Sequence, residues 1–166
     1  MEISWFYHIN PLLATFLLAT LPIFELRAAI PIAIANFDIP LWQIFIISVI
    51  GSILPGILIV YFLGPVSNWL RKWKIFDKFF QWLFDRTRAK FDKKYAVWGK
   101  LALMFFVAIP LPGTGVWTGS VVAWLFNFEK KQALLYIILG AILAAILVTA
   151  ISLGIFEAFK FLPIGK

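Results

Sequence analysis

Three stretches of the chain, residues 39–70, 101–128 and 132–156, contain no charged side chain. Each is longer than the roughly 20 apolar residues that an α-helix needs to cross a hydrocarbon core. In lipid the backbone must satisfy its own hydrogen bonds, so runs of this length point to helices. The composition agrees: 63% of residues are hydrophobic, 14% are charged, and the mean hydropathy of +0.95 lies outside the range of a soluble domain. The chain reads as an all-α integral membrane protein, residues 1–166 forming a single membrane domain.

A fourth stretch, residues 11–37, is uncharged except for Glu25 and Arg27. A charged side chain at the centre of a membrane helix costs roughly 2.5 to 3.5 kcal/mol on the insertion scale. The segment therefore either keeps both charges against protein or water or does not cross as a simple lipid-facing helix. Glu25 and Arg27 are two residues apart, nearly opposite on a continuous helix, and share a face only where the chain is extended or broken. Intramembrane ionisable groups mark function, which assigns Glu25 as a proton-coupling carboxylate and Arg27 as an anion contact or charge partner. The alternative is a structural pair that pins the segment in place.

Pro22 and Pro31 break residues 11–37, and Asn36-Phe37-Asp38-Ile39-Pro40 forms a turn-like close. Residues 41–66 then read as a transmembrane helix, with Trp42 and Trp69 near its ends and a kink expected around Gly51, Pro55 and Gly56. Ser48, Ser52 and Gly56 recur every fourth residue, a stripe that admits close helix packing. Residues 101–127 contain Pro110, Pro112, Gly113 and Gly115 within six positions, which no uninterrupted helix carries. Broken backbone at membrane depth must be shielded by protein or line a wet cavity, so this segment reads as a re-entrant hairpin or two half-helices. Thr114 and Thr118, with the neighbouring glycines, either line a substrate path at the second tip or belong to tight packing through the Gly115 to Gly119 spacing. Residues 132–158 form a second transmembrane helix with a small-residue stripe at Gly140, Ala141, Ala144 and Ala145.

The net charge of +7 is concentrated in one place: residues 71–100 hold ten Lys or Arg against three Asp. That bias marks the 71–100 loop as cytoplasmic and the chain as a multi-pass protein of the cell (inner or plasma) membrane. Within residues 69–98, Trp69, Trp73, Phe76, Phe80 and Leu83 lie opposite Lys74, Lys78, Gln81, Asp85 and Arg88, the pattern of a basic amphipathic helix attracted to anionic membrane lipid. Nucleic acid is not implied. With no cysteine and one histidine, His8, the sequence offers no disulfide and no His/Cys metal cluster, and the acids are too few for an oxygen-ligand site. No cofactor, metal or enzymatic activity is expected. Residues 1–10 lack a basic n-region, so no signal peptide is expected either.

Ala29-Ile30-Pro31 and Ala108-Ile109-Pro110 are the same tripeptide, each in a broken apolar segment followed by a turn and a glycine-bearing spanning helix. The order suggests two repeats. If each broken segment is a hairpin that enters and leaves on one side, the repeats are inverted, and Lys130 and Lys131 share the side of the basic loop. Four full spans would place them on the opposite side.

Pro22-Ile23-Phe24-Glu25-Leu26-Arg27-Ala28-Ala29-Ile30-Pro31 and Ile109-Pro110-Leu111-Pro112-Gly113-Thr114-Gly115-Val116-Trp117-Thr118-Gly119 resemble the two signature segments of the small multidrug export family. That family is in turn similar to the DedA/VTT membrane proteins. The resemblance implies two re-entrant hairpins, inverted repeats and proton-linked or scrambling movement of phospholipid or polyprenyl-phosphate carriers. The chain departs from the DedA pattern in having no charge in the second hairpin, where those proteins place an essential arginine. An anionic lipid would then be met by Arg27 and by backbone N–H groups near Thr114. The expectation is a small transporter of an anionic lipid or small molecule, with a homo-oligomer expected because two spans and two hairpins make a thin wall. The alternatives are a four-span exporter of cationic drugs using Glu25, which the fixed charge of Arg27 opposes, and a non-transporting scaffold or assembly protein.

Overall fold

The computed structural model describes residues 10–70, 72, 96–111 and 113–161, and these form six α-helices with no strand among them. They are α1 (Pro11–Thr20), α2 (Glu25–Asn36), α3 (Leu41–Leu70), α4 (Ala96–Ala108), α5 (Val116–Leu125) and α6 (Lys130–Phe161). Two spans, Leu41–Trp69 and Lys130–Ile155, are long and apolar enough to cross a bilayer. Of the others, α1, α2 and α5 have 10 to 12 residues, and α4 has 13 among the described residues. At 1.5 Å per residue α1, α2 and α5 extend only about 15 to 18 Å, against a hydrocarbon core of about 30 Å. The basic amphipathic segment at 69–98 falls largely outside the described residues, as does Pro112.

The chain divides into two compact units. The first comprises residues 1–52 and 142–166, and so contains α1, α2, the start of α3 and the end of α6. The second comprises residues 53–141, with the rest of α3, α4, α5 and the start of α6.

In the first unit α1 opens with Pro11 in the first turn and Asn10 as its cap, the Asn10 Oδ1 accepting from Leu12 N–H at 2.9 Å. It ends where Leu21 becomes extended, directly before Pro22. Leu18 and Ala19 of α1 pack with Ala29 of α2, and Ile32 lies beside them. Alanines at this seam let the two backbones approach closely. A Cβ on Gly51 would lie 2.8 Å from the Phe16 carbonyl oxygen and 2.9 Å from Ala19 Cβ, so α3 rests directly on the last turns of α1. The α1–α2 break therefore begins near the level of Gly51, about 15 Å along α3 from its start.

Pro31 corrects the expectation of a break at that position: it lies inside α2, while the actual break spans residues 21–24. A proline inside a helix removes one N–H donor, and packing on both sides holds the helix together. Ile30 and Ala33 are fully buried around it. The tripeptide match consequently falls at non-equivalent places, inside α2 in one case and across the end of α4 in the other. The order of broken segment, turn and long helix recurs, but Ala-Ile-Pro does not mark it.

In the second unit glycines fix the contacts. A Cβ on Gly119 would come within 2.5 Å of Val107 Cγ2, which sets α5 against α4; one on Gly140 would come within 2.6 Å of the Met104 carbonyl oxygen, which sets α6 against α4. Gly56 lies against Val116 and Ser120, and a Cβ on Gly64 would be 3.6 Å from Trp124 Nε1, so α5 runs parallel to the second half of α3. The α5 C-terminus closes with the Phe128 N–H on the Ala123 carbonyl at 2.9 Å, the Asn127 N–H on the Trp124 carbonyl at 3.0 Å, and Asn127 at φ 53. This is a Schellman closure with asparagine in the left-handed position. It delivers Lys130 to the start of α6 with Nζ 5.3 Å from the centre of the Tyr61 ring, near the C-terminal end of α3.

Candidate functional site

The site is built on the break between α1 and α2. Leu21 is extended, with ψ 138, and Phe24 is right-handed helical. Glu25 then takes φ 47, one of only two positive-φ non-glycine positions among the described residues. Its N–H donates to the Leu21 carbonyl at 2.9 Å, and Ala28 N–H donates to the Phe24 carbonyl at 3.1 Å, so the reversal runs directly into α2 without a free turn. Left-handed backbone costs a residue with a Cβ about 1 to 2 kcal/mol, which is why glycine usually occupies such positions. Strain of this kind persists where the surroundings over-determine it, and it clusters at functional sites.

The acid is also turned inward. Glu25 is 4% exposed, whereas Ile23 and Phe24 beside it are 87% and 42% exposed. A turn in water would present these residues the other way round; this one suits apolar surroundings. Two features offset the burial of the carboxylate. Glu25 is in the first turn of α2, where the helix dipole favours negative charge. Arg27, half-buried one residue beyond Leu26, attracts it coulombically. Glu25 and Arg27 thus attract each other, with Glu25 at the break and Arg27 inside the first turn of α2. Pro31 lies further along α2, away from the break.

The second break is organised by its backbone. Gly113 has φ 82 and Gly115 has φ 131, conformations that favour glycine. Thr114 closes the loop on itself: its hydroxyl lies 2.7 Å from the Ile109 carbonyl oxygen and 2.9 Å from that of Leu111. Pro110 lies in the loop, Gly115 caps α5 with no side-chain capping bond, and Thr118 is exposed on the first turn of α5. The structure brings Pro110, Gly113, Thr114 and Gly115 together in one loop, with the Thr114 hydroxyl bonded to the carbonyls of Ile109 and Leu111. The left-handed conformation of Glu25 has no sequence signal, because neither glycine nor asparagine stands there.

The positive φ at Glu25 has a measurable consequence. Glu25→Gly is expected to leave the protein more stable than Glu25→Ala by about 1 kcal/mol, because glycine alone relieves the strain. This reverses the usual helical order, in which glycine is about 1 kcal/mol worse than alanine. Thermal unfolding of the two purified variants in detergent checks the ranking.

A family model described as "Putative small multi-drug export protein" matches residues 25–147. The match starts at Glu25, includes Arg27 and the second break, and ends within α6, leaving α1 outside it. No curated protein and no solved structure matches the chain significantly. With most of its length in this match and two helices fit to span a bilayer, the chain belongs to the small multidrug export family of membrane proteins.

Proposed function

We propose that the chain is a small transporter of the cell membrane that moves an anionic lipid or lipid-linked phosphate together with protons, Glu25 carrying the proton and Arg27 meeting the anion. The observation that carries this reading is the enclosure of Glu25, 4% exposed and at φ 47, beside Arg27 at the opening of α2. Burial opposes the charge of the acid and Arg27 supports it. An anion that draws the guanidinium toward itself leaves the carboxylate less supported, so anion binding and proton uptake occur together. Release of the anion returns Arg27 to Glu25 and frees the proton. The likeness to DedA/VTT proteins supports a lipid phosphate as the anion. The family description favours a drug exporter, but a fixed positive charge in the same turn repels a cationic drug.

In this reading each pair of short helices is a re-entrant hairpin, the two halves of the chain are inverted repeats, and the 71–100 loop is cytoplasmic. Short α1, α2 and α5 support it, as does the seating of Lys130 over Tyr61. Four full spans would put Lys130 near the start of α3, about 30 Å from Tyr61.

Two experiments test these points. Thermal stabilisation of the purified protein is measured against lipid phosphates and cationic amphipaths, for wild type and Arg27→Ala. Stabilisation by the phosphates that is lost in the variant is expected; stabilisation by the cations alone, or an undiminished response in the variant, contradicts the assignment. The absence of cysteine then permits K72C and K131C to be probed singly with an impermeant thiol reagent. Both are expected to react from the same face of the membrane, and reaction from opposite faces would overturn the hairpins.

A further inference from the structure

Several buried or half-buried hydroxyls in this fold are satisfied by the helix that carries them. Thr15 donates to the Pro11 carbonyl at 2.8 Å, Thr20 to Phe16 at 2.7 Å, and Ser152 to Val148 at 2.7 Å. Ser48 and Ser52 are not: both are 0% exposed, and neither hydroxyl has a hydrogen-bond partner, a state that Ser120 of α5 shares in the second unit. They stand one turn apart on α3 and share a face. Both belong to the first unit, as does Thr149 of α6, whose hydroxyl is likewise enclosed and unpartnered.

Close packing alone does not account for serine at these positions. Alanine is as compact and carries no hydroxyl to desolvate, whereas an enclosed hydroxyl without a partner is a standing cost. That cost is recovered if the face meets water in another conformation. We propose that the α3 face bearing Ser48 and Ser52 is a wall of the translocation path, closed in this structure and wetted by water and by the polar end of the substrate when the path opens. The unpaired hydroxyls raise the energy of the closed form, and hydration pairs them in the open one, so the same two residues ease opening and give the path its polarity. Thr149 supplies a third hydroxyl of this kind from the other long helix. The inference rests on the transporter reading but not on the identity of the substrate or on the role of Glu25.

The test uses S48C and S52C, with I46C and I50C as controls on the opposite face of the same helix, where Ile46 and Ile50 are 47% and 55% exposed. Each variant is reconstituted in liposomes and treated on both sides with a small charged methanethiosulfonate, without substrate or proton gradient. Such reagents need a thiolate, which does not form in hydrocarbon, so S48C and S52C should react roughly ten-fold or more faster than the controls. Failure of either one to outpace the controls overturns the proposal. A protein that loses proton-linked transport in Glu25→Gln while S48C and S52C still react keeps its path, and one that transports while protecting both positions loses only this proposal. The double variant S48A/S52A provides a readout that does not depend on cysteine: its melting temperature should rise, because alanine removes unpaired hydroxyls from the closed form. An unchanged or lowered melting temperature overturns the idea.

Discussion

A helix interrupted within an apolar segment strands N–H and C=O groups that apolar surroundings cannot satisfy, and the rest of this structure depends on how those groups are closed. At the first break the closure is the bond from Glu25 N–H to the Leu21 carbonyl, and it places an acid in the left-handed region. At the second break Thr114 bonds back to Ile109 and Leu111 while Gly113 and Gly115 take the positive φ values. Where α5 turns into α6, Asn127 and Phe128 do the same work. The solutions are local in all three places. Each helix end thus has a closing bond within its own turn, and only at the first is the left-handed residue ionisable.

Local closure does not hold helices together in lipid, where there is no hydrophobic force between them and contact must come from close approach. Gly51 of α3 against α1, Gly119 of α5 against α4 and Gly140 of α6 against α4 provide it, each at a distance that a methyl group would violate. Gly154 of α6, with nothing within 4 Å of its would-be Cβ, shows that glycine in these helices is not always a contact. The same stripes that allow approach also carry Ser48 and Ser52, so packing and polarity occupy one surface of α3.

Much of this was legible in the sequence. The uncharged runs locate α3 and α6 to within a few residues, since nothing competes with a helix in hydrocarbon. The cluster of Pro110, Gly113 and Gly115 locates the second break, because proline and glycine act on the backbone itself. Pro31 misled, since proline breaks a helix only when packing does not hold it, and Ile30 and Ala33 hold α2. The repeated tripeptide misled for the same reason, its two copies occupying different positions along their segments. Glu25 could be singled out by its charge but not by its conformation, which comes from the reversal at 21–24 and leaves no mark in residue type. The hydroxyls of Ser48 and Ser52 read as small side chains in sequence, and only enclosure without partners distinguishes them from Thr15 or Ser152.

Glu25 is therefore where the account converges: a strained backbone, a buried carboxyl, a helix N-terminus and a neighbouring cation meet at one residue. In the proposed mechanism this group acts by changing protonation rather than by adding stability. The most direct measurement is substrate-driven proton movement into liposomes containing wild type or Glu25→Gln, both folded and inserted to the same extent. The account predicts proton movement with the wild type and none with Glu25→Gln. Equal proton movement in the two would contradict it.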